Sequence, residues 1–194
     1  ATEYKTASTK GNFNNHIGVP LTLLDIPTDT DIAVVEMGAN HQGEIAMLCE
    51  LTEPTHGIIN NIGKAHLEGF GGVVGIRKGK GELYDFLKTA NGYVFLNEKD
   101  ATLVEMAKEK ELLLTIRYGD DERALKCTAT SPQIEFTLPS IFDKEQTKYT
   151  TNLSGVYNFD NMQTAFSIGT FFNVPAEDAA EALAAYESSN NRSQ

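Results

Sequence analysis

The sequence predicts an α/β fold: a mostly parallel sheet flanked by helices, with a small antiparallel β subdomain. Three observations lead there. The run IAVVEM (32–37) is apolar without alternation, as in a strand buried on both faces of a parallel sheet, and GANHQGE and an apolar-periodic helix through Ile45, Leu48 and Cys49 follow it at once. The order strand, polar loop, helix then returns, with GIINN before a helix opening near Val74 and YVFLN before one from about Asp100 to Lys110. Beyond Leu112 the pattern changes to LLLTIRYG, LKCTATS, QIEFTLPS and KYTTNLS, short alternating segments bounded by turn residues, as in an antiparallel sheet.

Taken in order, ATEYKTAST reads as a short strand, and KGNFNNHIGVP as a loop leading into a helix around Leu21 to Leu24. Asn12, Asn14 and Asn15 in that loop have the ordinary role of turn formers. Glu36 stands at the C-terminal end of the IAVVEM strand, where open α/β sheets bind their ligands; it is either a metal or water ligand or a solvated strand-end acid. Thr55 to Asn61 forms the next short strand, and His66 follows five residues later. A carboxylate and an imidazole at successive strand ends, with open water positions, suit Mg²⁺ or Mn²⁺ held against a phosphate.

The helix opening near Val74 carries its apolar stripe on Ile76, Leu83 and Leu87. At ~100° per residue Lys80 falls on that stripe and Lys78 opposite it. An inward lysine must snorkel, find a carboxylate or lose its charge, because burying an unpaired ammonium is costly. After the antiparallel segments, Tyr157 to Phe172 and Pro175 to Tyr186 read as two helices, with Pro175 near the first turn of the second and Glu177 and Asp178 favouring its N-terminal dipole. The polar SSNNRSQ, with Arg192, reads as the start of a hinge (189–194).

The 194 residues, 41% hydrophobic and 22% charged, suit one globular domain of roughly 100 to 200 residues with a sizeable core. A formal net charge of −11 argues against general nucleic-acid or anionic-membrane binding. It leaves room for phosphate ligands, which need only the local charge that Arg77, Lys78 and Lys80 offer. Cys49 and Cys127 make no CxxC pair, no apolar run is long enough to span a membrane, and no signal peptide is visible, so a cytoplasmic location is expected. No stretch satisfies GxxxxGK[ST]; GIRKGKG is one residue short and no Ser or Thr follows its lysine.

The set KGNFNNHIGVP (10–20), VVEMGANHQGEI (34–45), NNIGKAHLEGFGG (60–72), KGKGELYDFL (78–87), YNFDN (157–161) and NNRSQ (190–194) closely resembles the Mur ligase family, in order along nearly the whole chain. The resemblance implies a P-loop NTPase-like central domain over residues 1–188, without its N-terminal P-loop, with 112–152 as the antiparallel subdomain and 189–194 leading to a C-terminal domain. It implies ATP and Mg²⁺ as cofactors, Glu36, His66 and a carbamylated Lys80 as catalytic residues and metal ligands, Asn61, Asn161 and Arg192 as nucleotide contacts, and Lys10, Asn12, Asn14 and Asn15 as a loop facing the UDP-sugar peptide.

Within the family, the best resemblance is to the branch that joins D-Ala-D-Ala to UDP-N-acetylmuramoyl-tripeptide through an acyl phosphate in peptidoglycan synthesis. The implied partners are those two substrates and the N- and C-terminal domains of the same protein, with no nucleic acid and no membrane insertion. These residues alone are expected not to form a competent enzyme. Two further readings stand beside this one: another muramyl or folylpolyglutamate-type amide ligase, and a noncatalytic nucleotide-binding module.

Overall fold

Helical crossovers join the parallel strand pairs of this chain. In the computed structural model, which describes residues 3–63 and 67–187, β1 (Thr6–Ser8) is followed by α1 (Gly18–Leu24) and pairs in parallel with β2 (Ile32–Val34), Thr6 opposite Ile32. The helix α2 (Glu44–Thr52) leads to β3 (His56–Ile58). Then α3 (Leu67–Phe70) and α4 (Val73–Ala90) cross over to β4 (Tyr93–Asn97), parallel to β3 with His56 opposite Tyr93. After α5 (Ala101–Glu109), β5 (Thr115–Tyr118) completes a sheet of order β3-β4-β5. The chain divides into two units, Ala1–Leu96 with Asp100–Arg117, and Asn97–Lys99 with Tyr118–Gln194.

In the first unit, α4 is the longest helix and the one on which the core is built. Ile76, Tyr84 and Leu87 are buried with Ile59, Val94, Leu96, Leu103 and Met106; each fully buried aliphatic side chain contributes roughly 2 kcal/mol. Gly75 and Gly79, one turn apart, seat Phe70 of α3, since a Cβ at either would collide with it. Asn91, in the left-handed region at φ 54°, ends α4 by returning its N–H to the Leu87 carbonyl. Asp100 caps α5 by accepting from the Thr102 and Leu103 amides at 2.9 and 3.1 Å. A second cluster joins Val19 of α1 to Ile45, Leu48 and Cys49 of α2.

Two expectations change here. The strand β2 is not buried on both faces: Val35 and Met37 pack on the α1–α2 cluster, whereas Val34 is 60% exposed and Glu36 is exposed with it. A two-stranded sheet packed on one side obeys the period of two, and a run of apolar residues does not say that only one face is covered. The segment around Thr115–Tyr118 does not join the antiparallel strands; it extends the β3–β4 sheet, with the Val94 amide donating to the Leu114 carbonyl at 2.9 Å.

The second unit holds the antiparallel sheet β6 (Lys126–Ala129), β7 (Glu135–Thr137) and β8 (Lys148–Thr150), ordered β6-β7-β8, with α6 (Val156–Phe171) and α7 (Ala176–Ala184). Ile134, Phe136 and Leu138 are buried with Phe159, Met162, Phe166 and Ala180. Phe136 stacks on its cross-strand partner Tyr149 at 5.3 Å. Gln163, buried on α6, accepts from the Leu125 amide at 2.7 Å and donates to Ser167 at 3.0 Å. Pro175 precedes α7, and Glu177 and Asp178 lie in its first turn. Among the described residues no helix is long and apolar enough to cross a membrane.

Candidate active site

The carboxyl ends of β2 and β3 carry the candidate residues. Glu36 lies two residues beyond Val34, the last residue of β2, and its main chain is pinned by its own N–H donating to Thr9 Oγ1 at 2.8 Å. Its carboxylate is oriented by Asn14, whose Nδ2 donates to Glu36 Oε1 at 2.7 Å. The Asn14 carbonyl also accepts the Gly38 amide at 2.6 Å. A Cβ at 38 would lie 2.8 Å from the Asn14 side-chain amide, so a larger residue there would have to displace the group that orients Glu36. Among the described residues Glu36 Oε2 has no hydrogen bond, which leaves one acidic oxygen for a ligand.

Asn61 lies three residues beyond Ile58, the end of β3, and its backbone carbonyl accepts Lys80 Nζ at 2.7 Å. The inward setting expected for Lys80 is what α4 gives: Lys80 is half-buried and Lys78 exposed. Burial pushes the Lys80 amine below the ordinary lysine range. Among the described residues no carboxylate pairs with it, so its partner is a neutral carbonyl and the ammonium form is disfavoured. Arg77 is not available for phosphate, since its guanidinium bridges Glu105 and Glu109 of α5 at 3.0 and 2.7 Å.

The loop 38–43 follows Glu36 in the chain and leads into α2. Glu44 Oε2 accepts the Asn40 and His41 amides at 2.6 and 3.0 Å, which holds the Glu44 carboxyl below its usual range. Glu82, two residues after Lys80, accepts the Gly43 and Ala46 amides. Neither Thr9 nor Glu82 stands out in sequence as a site residue; for Glu82 the signal was its place in KGKGE. No hydrogen bond among the described residues joins Glu36 directly to Lys80.

The remaining candidates fall elsewhere. Lys10 is exposed and pairs with Asp25 at 2.5 Å. Asn12 is exposed, its carbonyl accepting the Asn14 amide at 2.8 Å. Asn15 works at the start of α1, where Oδ1 accepts the Ile17 and Gly18 amides at 3.0 and 2.9 Å. Asn161 is partly buried on α6 in the second unit. His66 and Arg192 lie outside the described residues.

Among the described residues no three His, Cys, Asp or Glu side chains lie close enough to hold a metal ion. The donors present nonetheless suit a hard cation: among the described residues one Glu36 carboxylate oxygen has no hydrogen bond, and Lys80 has the desolvated amine from which a carbamate oxygen ligand could form.

A model of the Mur ligase middle domain matches residues 1–169. The chain belongs to the Mur ligase family. Among curated relatives of this Mur ligase domain, UDP-N-acetylmuramoyl-tripeptide--D-alanyl-D-alanine ligase of Bacillus subtilis is 33% identical over 186 residues, covering 94% of the chain and 39% of the relative. The enzyme of the same name from Haemophilus influenzae is 40% identical over 161 residues, covering 82% and 35%. Among solved structures, MurF from Acinetobacter baumannii superposes with a TM-score of 0.83 at 28% identity, covering 98% of the chain and 42% of that structure. MurF ligase from Thermotoga maritima, solved in complex with ADP, shares the fold at a TM-score of 0.74 and 23% identity, covering 98% and 44%. The chain thus spans about two fifths of the length of these relatives.

Proposed function

We propose that this domain belongs to a cytoplasmic ligase that uses ATP to join D-Ala-D-Ala to UDP-N-acetylmuramoyl-tripeptide in peptidoglycan synthesis. The observation that carries the reading is the match of 94% of the chain to a ligase of that name. The placement of Glu36 just beyond β2, and of Lys80 on α4 against the Asn61 carbonyl just beyond β3, supports it.

In the proposed reaction a terminal carboxylate oxygen of the tripeptide attacks the γ-phosphorus of ATP, the bond to the bridging oxygen breaks and ADP leaves. The amine of D-Ala-D-Ala then attacks the resulting acyl phosphate, and the tetrahedral intermediate expels phosphate as the amide forms and the amine proton is lost. Bound Mg²⁺ would neutralise charge on the transferring phosphoryl group. Glu36 and His66 would hold it, with Lys80 as a carbamate. For that modification the neutral amine adds to CO₂, forming an N–C bond and releasing a proton, and desolvation of Lys80 favours the neutral starting form. Asn61 and, on α6, Asn161 would contact the nucleotide, as would Arg192. Lys10 and Asn12 would face the UDP-sugar peptide, with Asn14 and Asn15 shaping the loop that presents them.

The test is ADP release by the full-length protein supplied with ATP, Mg²⁺, the tripeptide and a panel of amines. Dependence on D-Ala-D-Ala is the expected result; turnover only with another amine, or none with any, would overturn it. Lys80→Arg keeps a cation but cannot form the carbamate, so activity should fall by about two orders of magnitude. A ¹³C carbamate resonance should appear with ¹³CO₂ in the unmodified protein and be absent from the variant.

A further inference from the structure

Gly43 opens α2 and has no side chain with which to cap it. A helix start leaves about four amides without intrahelical partners. Glu82 meets that need from another helix: Oε1 accepts the Gly43 amide at 2.6 Å and Oε2 the Ala46 amide at 3.0 Å. Two residues along α4 from Lys80, Glu82 is rotated about 200° from it, so the pair leave the helix on different sides. Lys80 reaches the end of β3 at Asn61, and Glu82 reaches the start of α2. The charge is felt inside α2, where burial and then the nearby Glu82 carboxylate push the Cys49 thiol up to about 11.

We propose that Glu82 is a positioning residue, which from the lysine-bearing helix fixes the loop 38–43 and with it the setting of Glu36 relative to Lys80. The inference rests on the reading of Glu36 and Lys80 as acidic ligands given above. The anchored loop begins where Asn14 holds Glu36 and Gly38 and ends at Gly43, whose amide Glu82 holds together with that of Ala46 in the first turn of α2. One rigid helix therefore bears one ligand and the tether of the segment bearing the other. Two amides need two acceptors, which a carboxylate supplies. Glutamine has one acceptor, and its NH₂ would face an N–H.

The experiment uses the full-length protein and its Glu82→Gln and Glu82→Ala variants, with residue-resolved hydrogen exchange beside the Mg²⁺ dependence of ADP formation. Exchange at Gly38, Asn40 and His41, whose amides donate to Asn14 and Glu44 and not to Glu82, should accelerate by about tenfold while Leu103 and Met106 of α5 keep their protection. The Mg²⁺ concentration for half-maximal rate should rise by a larger factor than kcat falls. Acceleration confined to Gly43 and Ala46, or a uniform rise over the whole unit, would overturn the proposal, as would an unchanged Mg²⁺ dependence in an active enzyme. Should Glu82→Ala not fold, the isosteric Glu82→Gln decides. If the unmodified protein makes no ADP with any amine, the ligase reading fails, while exchange at Gly38, Asn40 and His41 still decides whether Glu82 governs the loop.

Discussion

Asn14 and Glu36, 22 positions apart, are joined by a 2.7 Å hydrogen bond from Nδ2 to Oε1. The bond holds the acid at one end of a segment whose Gly38 amide the same asparagine binds through its carbonyl. Asn14→Asp would set carboxylate against carboxylate and should cost about 1 kcal/mol of stability. Adding Glu36→Gln should recover most of that loss, because the new amide can donate to the new carboxylate. Urea unfolding of both single variants and the double variant forms a cycle, and strictly additive effects would count against direct coupling.

Phe70 sits against two glycines of α4. A Cβ at Gly79 would lie 2.4 Å from the Phe70 ring, and one at Gly75 would lie 1.7 Å from the Phe70 carbonyl oxygen. Alanine gains about 1 kcal/mol of helix propensity over glycine, against an overpacking cost of about 1–3 kcal/mol. A ring can shift more readily than a main-chain carbonyl. Denaturation midpoints should therefore fall further for Gly75→Ala than for Gly79→Ala, and Phe70→Leu should relieve only the latter.

The His56 ring stacks on Tyr93 at 5.4 Å and meets Thr55 Oγ1 at 3.0 Å. Burial holds its pKa below the ordinary 6.5. As pH falls through 6.5 the unfolded chain takes up this proton first, so stability falls between 6.5 and the lower folded value. Unfolding free energies measured across about pH 5 to 8 should show this slope, and His56→Phe, which keeps a ring in the stack, should reduce it. An equal slope in the variant would locate the pH sensitivity elsewhere.

The two thiols should differ in reactivity. Cys49 is fully buried and its thiolate is penalised, whereas Cys127 is exposed. Alkylation of the native protein near pH 8 should label Cys127 at a rate typical of an accessible thiol and leave Cys49 unlabelled until denaturant is added. Rapid native labelling of Cys49 would mean that α2 opens readily.

Local pattern announced some of these features and was silent on others. The stripe of Ile76, Leu83 and Leu87 was enough to turn Lys80 inward, because helical spacing alone fixes which residues share a face. The single covered face of β2 could not be read from IAVVEM, since coverage depends on which helices pack against a strand. Pairing of β5 with β4 was hidden for a related reason: alternation marks a strand but does not choose its neighbours. The bonds of Asn15 to the Ile17 and Gly18 amides are local ones and agree with the ordinary turn-forming role of asparagine. The Glu82 cap is not local, because its acceptor and donors are 36 and 39 positions apart.

The tether from Lys80 ends on the main-chain oxygen of Asn61, not on its side chain. Position 61 therefore presents two separable traits to genetics. Side-chain replacements at this codon should disturb the nucleotide contact proposed for the amide while leaving the lysine tether in place, so an allele such as Asn61→Ala would separate that proposed contact from lysine placement. Because every residue has a carbonyl, releasing the lysine itself would require a change in backbone path.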